Sequence, residues 1–280
     1  MVRFLLNLIH KINTMKKIFY FFSLLLIASS CNKMNQTKPI TIIPENKVAL
    51  PKELSAVDSI KIDDSTRINE VLTAKFSSKI LIFSNLNNKK IADSIYHYAE
   101  INPLKDYNFR NLDLELQAQK EAYFDSVKKN SKDFKPSFKQ TWEENSSMDF
   151  HSLKNDILTI MYQNDGYSGG AHGYYNILYK NFDLKKNSVI QVSDVFKDAK
   201  SQEISDLLMK YFSNKEQKEM LLEQKITANN NFYFDDESIT FVYNHYEITA
   251  YAAGVVEITI PFSDLKPYLK PDFISRNNLK

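Results

Sequence analysis

Four of the chain's five glycines fall within nine residues, Asp165 to Gly173, read as Asp-Gly-Tyr-Ser-Gly-Gly-Ala-His-Gly. Glycine takes φ > 0 without a Cβ clash and lets a neighbouring backbone come close, so a chain that otherwise avoids it needs unusual geometry here. The flanks read as strands. Asp149 or Phe150 to Gln163 precedes the stretch, and Tyr174 to Leu184 follows it with Tyr175, Ile177 and Tyr179 alternating against Asn176, Leu178 and Lys180. The pattern predicts a hairpin whose tip is longer than the usual two to five residues. The fifth glycine, Gly254, closes a second short motif that starts at Tyr246.

The N-terminus has the plan of an export signal. Met15-Lys16-Lys17 leads into the apolar run Ile18 to Ile27, then Ala28-Ser29-Ser30-Cys31: a basic region, an apolar region short for a bilayer span, and small residues. Cysteine directly after small residues makes it similar to a bacterial lipoprotein signal, in which Cys31 is lipidated and becomes the mature N-terminus; Ala28 stands where leucine is commonest. Residues 1–30 hold Arg3, Lys11, Lys16 and Lys17 and no acid. Subtracting those four from 36 basic residues leaves 32 against 34 acidic ones, so the formal charge moves from +2 to −2. A near-neutral exported chain carries no footprint for nucleic acid. Cys31 is the only cysteine, which excludes an intrachain disulfide and a thiolate metal cluster. Residues 31–66, with Pro39, Pro44 and Pro51 among polar residues, read as a tether.

The folded part is expected from about Arg67, with strands at Val71–Phe76 and Ile80–Phe83. A helix capped by Asn87 or Asn88 carries Ile91, Ile95 and Tyr98, and a longer one runs from Asn111 to about Lys132. Strands follow at Ser137–Glu143 and on either side of the glycine stretch. Lys185-Lys186-Asn187 reads as a turn into Val189–Val192. Two helices, Ser201–Phe212 and Lys215–Thr227, precede strands at Phe232–Phe234, Ser238–Tyr243 and Val255–Pro261 and a terminal helix near Ser263–Leu269. The class is therefore α+β, a mainly antiparallel sheet with helices inserted between strands, divided into two small subdomains at 67–161 and 162–280.

Gly166-Tyr167-Ser168-Gly169-Gly170 satisfies G-x-S-x-G, but a nucleophile elbow needs a helix after the serine, and a strand is expected there. Asp206 and His245 lie downstream in hydrolase order. His97, His151, His172 and His245 include no i, i+4 pair, so neither a zinc site nor any cofactor is expected. For His172 the favoured role is a hydrogen bond that holds the hairpin tip. Tyrosines cluster at both glycine motifs, and their broad rings suit interfaces and sugar stacking as well as sheet packing. Tyr167, Gly169, Gly170, His172, Tyr174, Tyr246 and Tyr251 are the candidate binding residues.

The order Tyr167 to Gly173, Asn181-Phe182-Asp183-Leu184, Val192 to Phe196, Tyr246 to Gly254 and Val256 to Pro261 resembles an extracytoplasmic domain of unknown function. That domain is found in lysozyme-sensing anti-sigma factors, beside peptidoglycan deacetylases, and in many lipoproteins. The likeness covers about Tyr162 to Leu269, and Ile68 to Met161 resembles the domain that usually precedes it. The chain lacks both the sigma-binding segment with its mid-chain membrane helix and an appended metal-dependent catalytic domain. The resemblance implies an envelope location and recognition of a lysozyme-like protein or a cell-wall glycan fragment. The reading is a noncatalytic protein anchored through Cys31, most simply in the outer membrane facing the periplasm. The alternatives are an envelope hydrolase using the glycine loop and a purely structural lipoprotein.

Overall fold

The computed structural model describes residues 57–279, apart from 84, 87 and 135. Cys31, the export signal and the tether as far as residue 56 lie outside the described residues. β1 (Val57–Arg67) and β2 (Leu72–Phe83) form an antiparallel pair, so the folded part starts ten residues before the expected Arg67. The reason is a short inward row, Ile60 and Ile62, both buried against the core. β2 is also one strand rather than two. Its alternate residues Leu72, Ala74, Phe76, Ser78 and Ile80 are all buried, so the polar Ser77-Ser78-Lys79 does not interrupt it.

Two helices bridge β2 to β3. Asn88 caps α1 (Lys89–His97) by accepting from the Ile91 N–H, and Asn108 caps α2 (Phe109–Asp133) by accepting from the Asn111 N–H. That crossover lets β3 (Gln140–Lys154) lie parallel to β2, since parallel neighbours cannot be joined by a tight turn. β3 turns into β4 (Ile157–Tyr167) at Asn155-Asp156, both with positive φ as a type I′ hairpin requires. β5 (Tyr174–Asp183) and the two-residue β6 (Ser188–Val189) complete a six-stranded sheet in sequential order, antiparallel except for β2/β3. Residue 161, where a boundary between subdomains was expected, lies inside β4.

A second layer follows. The short α3 (Val192–Val195) leads to α4 (Gln202–Tyr211), capped by Ser201, and to α5 (Lys215–Glu219). The helix expected to reach Thr227 stops at Glu219. Beyond it the Met220 carbonyl accepts from the Ala250 N–H and Leu221 bridges Thr249, so tertiary pairing takes over those backbone groups. β7 (Phe232–Phe234), β8 (Ser238–Tyr243) and β9 (Val256–Pro261) form an antiparallel three-stranded sheet. α6 (Phe262–Leu265) and an unforeseen α7 (Pro271–Arg276) close the chain. The fold is thus α+β with a mainly antiparallel main sheet.

The two layers have separate apolar cores. Ile91, Ile95, Tyr96, Leu112 and Leu116 from α1 and α2 pack on Phe76, Ile80, Met148, Ile160, Tyr162 and Phe182 of the large sheet. Phe196, Ile204, Leu208, Phe232, Phe241 and Ile258 fill the second core. Asparagine side chains join the sheets. Beyond its short pairing with β6, β5 has a free edge, which Asn231 and Asn244 satisfy. The Asn231 amide accepts from the Tyr179 N–H at 2.7 Å and donates to the Ile177 carbonyl at 2.8 Å. Asn244 accepts from the Ile177 N–H at 2.8 Å, so two side chains stand in for a neighbouring strand.

Candidate functional site

The glycine stretch forms the hairpin tip expected of it, though β4 runs on through Tyr167, so the loop proper is residues 168–173. Gly169 and Gly170 have φ of +91° and +98°, a region closed to most side chains. Gly166 and Gly173 serve close approach instead. A Cβ on Gly166 would strike the Glu143 carbonyl, and one on Gly173 would strike the Gly166 carbonyl. The two glycine motifs meet at this tip. The His172 ring stacks on Tyr251 with centroids 4.0 Å apart, His245 stacks on the same tyrosine at 4.5 Å, and the Tyr251 hydroxyl donates to the Gly173 carbonyl at 2.9 Å. His172 Nδ1 lies 2.9 Å from that same carbonyl.

The other candidates spread over the neighbouring surface. Tyr246, at φ +65°, is 60% exposed with its ring 5.8 Å from that of Tyr251. Tyr167 donates to the Gly170 carbonyl. Exposed Phe134 stacks on buried Trp142, and both would touch a Cβ on Gly169. Ser168 sits between two strands with no helix after it. Asp206 accepts from Gln202 on α4 while His245 packs on Tyr251, so no nucleophile elbow is built. His151 packs against Tyr179 and Tyr233, and burial holds its imidazole below the usual value. Among the described residues no three His, Cys, Asp or Glu side chains come together to hold a metal.

A cleft of about 360 Å³ lies elsewhere, between the helix-facing side of the large sheet and the connection from α1 to α2. Its floor follows from register. Ser146, Asn164 and Asn176 stand side by side across β3, β4 and β5 in its lining, and buried Ser78 continues this polar row on β2. The Ser146 hydroxyl donates to Ser78 at 2.8 Å and the Asn176 amide to Asn164 at 3.0 Å. On one side of this row the inward positions are apolar, Ile80, Met148, Tyr162 and Leu178. On the other side Phe76, Glu144, Gly166 and Tyr174 are register partners across the same strands. Gly166 leaves room there for the Tyr174 phenol, whose hydroxyl would lie 2.8 Å from a Cβ at that glycine. Tyr98, Glu100, Gln119 and Asn244 form the walls, and Gln119 ties the Glu100 carbonyl to α2 at 2.9 Å.

Charge in this cleft is one-sided. Lys79 reaches its lining but is paired with Asp149. Glu144 and Glu100 have no ion-pair partner among the described residues. Burial first and then the Glu100 charge push the Glu144 carboxyl above the usual carboxylate range. Tyr174 is 42% exposed as a residue, yet its phenol is pushed up to about 12 by burial of its hydroxyl end and by the carboxylates of Glu144, Asp165 and Glu100. Tyr123, from α2, has a buried hydroxyl with no partner and is raised by burial and then by Glu144.

Of the seven residues singled out from the sequence, Tyr174 lines the cleft, while Tyr167, Gly169, Gly170, His172, Tyr246 and Tyr251 do not. Sequence reasoning missed Glu144, Ser146, Asn164, Asn176, Glu100 and Asn244. The signal was present in β3 as Trp142, Glu144, Ser146 and Met148, one inward-facing row that is apolar at both ends and polar in the middle.

Residues 69–175 match the family model described as deacetylase PdaC, and residues 193–263 match the model for a protein of unknown function, DUF3298. The glycine loop therefore falls in the first match rather than the second. No curated protein matches the chain. A crystal structure of a DUF3298 family member from Bacteroides fragilis NCTC 9343 superposes with a TM-score of 0.66 at 22% identity, covering 82% of this chain and 100% of that one. A DUF3298 family protein from Pseudomonas aeruginosa PAO1 gives 0.52 at 13% identity, covering 79% and 97%. The chain thus joins a PdaC-like region to a DUF3298 region, in a fold it shares with solved DUF3298 proteins, and resembles extracytoplasmic domains of unknown function.

Proposed function

We propose that this is a noncatalytic envelope protein, lipid-anchored through Cys31 on the periplasmic face of the outer membrane, that recognises a cell-wall saccharide in the cleft beneath α1 and α2. The observation that carries the reading is the polar row Ser78, Ser146, Asn164 and Asn176, flanked by an apolar row on one side and by Phe76, Glu144, Gly166 and Tyr174 on the other. Neutral amides and hydroxyls flanked by Tyr98, Tyr162 and Tyr174 offer the paired donors, acceptors and ring faces that a saccharide presents in return. A volume of about 360 Å³ lies within the usual range for small-molecule sites.

Calorimetric titration of the full-length protein with N-acetylglucosamine oligomers and muropeptides tests this. Asn164→Ala and Asn176→Ala should each weaken binding by about 5–10-fold, the value of one lost hydrogen bond. Heat-free titrations with every saccharide would refute it. Palmitate labelling of the wild type but not of Cys31→Ala checks the anchor.

A protein ligand, lysozyme-like in kind, is the second reading. The exposed rings of Phe134, Phe138 and Tyr246, at 56%, 64% and 60%, favour it. Loss of lysozyme binding in Phe134→Ser and Phe138→Ser, in a protein that gives no heat with any saccharide, would support it over the first.

A further inference from the structure

We propose that the cleft is selective for amino sugars whose amine is uncapped, with Glu144 and Glu100 as the counter-charge. The inference rests on the saccharide reading above and goes further in naming the class of sugar. Three features of the cleft converge on it. Its one lining cation, Lys79, is neutralised by Asp149, so the cleft as a whole carries the charge of its two free carboxylates. Glu144 projects from the middle of β3 into the half-buried floor, in register with Gly166, where the Tyr174 phenol takes the space a side chain would fill. The other titratable groups facing Glu144 are Glu100 from the α1–α2 connection, Tyr123 from α2 and Tyr174 from β5, none of them cationic.

A carboxylate held in such a place lacks what burial normally demands, a paired charge or a donor. Among the described residues neither is supplied, which leaves the place for a ligand's complement. A protonated amine on a sugar ring would give Glu144 a charge-assisted hydrogen bond, roughly twice as strong as a neutral one. The same ring's hydroxyls would meet Ser146, Asn164 and Asn176. An N-acetyl group offers an amide N–H with no charge, and the lactyl or peptide carboxylates of a muropeptide would meet repulsion from both glutamates. Two carboxylates without a third acidic or imidazole ligand make a poor metal site.

The test is calorimetric titration of the full-length protein at about pH 6, where a free amine is charged, with glucosamine tetramer and N-acetylglucosamine tetramer. The wild type should bind the glucosamine tetramer about 10-fold more tightly. Glu144→Gln keeps shape and hydrogen bonding but not charge, and should bring the two ligands within about 2-fold, chiefly by weakening the glucosamine tetramer. Glu100→Gln, at an exposed position, gives a second variant with a smaller loss of preference and no folding risk. Equal affinities in the wild type, or a preference that survives in both variants, would overturn amine selection while leaving saccharide recognition standing. No binding of either tetramer would overturn both.

Discussion

The two sheets of this protein pack their helices in opposite ways. Around the three-stranded sheet the core is filled mainly by apolar side chains, with Phe241, Phe232, Phe196, Ile258 and Leu265 fully buried. Above the six-stranded sheet the apolar packing stops partway. One inward row, Ile80, Met148, Tyr162 and Leu178, is core, and the next, Ser78, Ser146, Asn164 and Asn176, is hydrogen-bonding floor. Polar side chains on the helix-facing side of the sheet, with Ser146 and Asn176 exposed, forgo apolar burial worth about 1.5–3 kcal/mol per large side chain. That sacrifice makes sense where the face must contact something other than its own helices.

The largest effect should come from the filled layer. Phe241→Ala, in the middle of β8, should lower stability by about 3–5 kcal/mol because its neighbours cannot collapse into the space. Denaturant unfolding measures it, and a loss below about 1 kcal/mol would mean that this core is not close-packed. Next is the joint between layers. Asn231→Ala strips the Tyr179 N–H of its acceptor and the Ile177 carbonyl of a donor, for a cost of about 2–3 kcal/mol. Hydrogen exchange should show faster exchange at Tyr179; an unchanged rate would break the idea that asparagines complete β5.

The smallest effect carries the opposite sign. Burial and Glu100 raise the Glu144 pKa in the folded protein, so the folded state holds that proton to a higher pH than the unfolded chain does. Glu144 therefore destabilises above its folded pKa, and the penalty fades as pH falls toward the unfolded value of about 4.3. Glu144→Gln should raise stability at neutral pH and make no difference near pH 4. Thermal unfolding at the two pH values checks this. Stabilisation together with lost ligand preference would mark a residue kept for function rather than folding.

The fold's legibility in sequence divides along the same line. Helix caps at Asn88 and Ser201, the strands β7 to β9 and the hairpin around the glycine stretch follow from periodicity and turn chemistry. β2 and β3 do not. β2 reads as two pieces broken at Ser77-Ser78-Lys79, and β3 as a strand ending at Glu143, its far end joined to β4 across the unrecognised Asn155-Asp156 turn, because polar residues stand where an inward strand position should be apolar. Lys79 of the first break and Glu144 to Ser147 of the second line the cleft. A pattern rule assumes that the inward face of a sheet meets only the protein's own core, so it fails where that face opens onto a polar cleft. The glycine stretch pointed to real geometry for a different reason. Gly166 and Gly173 allow backbone contact at the hairpin, and only Gly166 reaches the cleft, by making room for Tyr174.

The central claim is that ligand meets the polar row and not the hairpin tip. Amide chemical-shift mapping of the labelled full-length protein, titrated with glucosamine tetramer, tests it most directly. The predicted result is perturbation centred on Glu144, Ser146, Asn164 and Asn176, with Gly169, Gly170 and His172 undisturbed. Shifts confined to Tyr167 through His172 and the surface around Phe138 would contradict it.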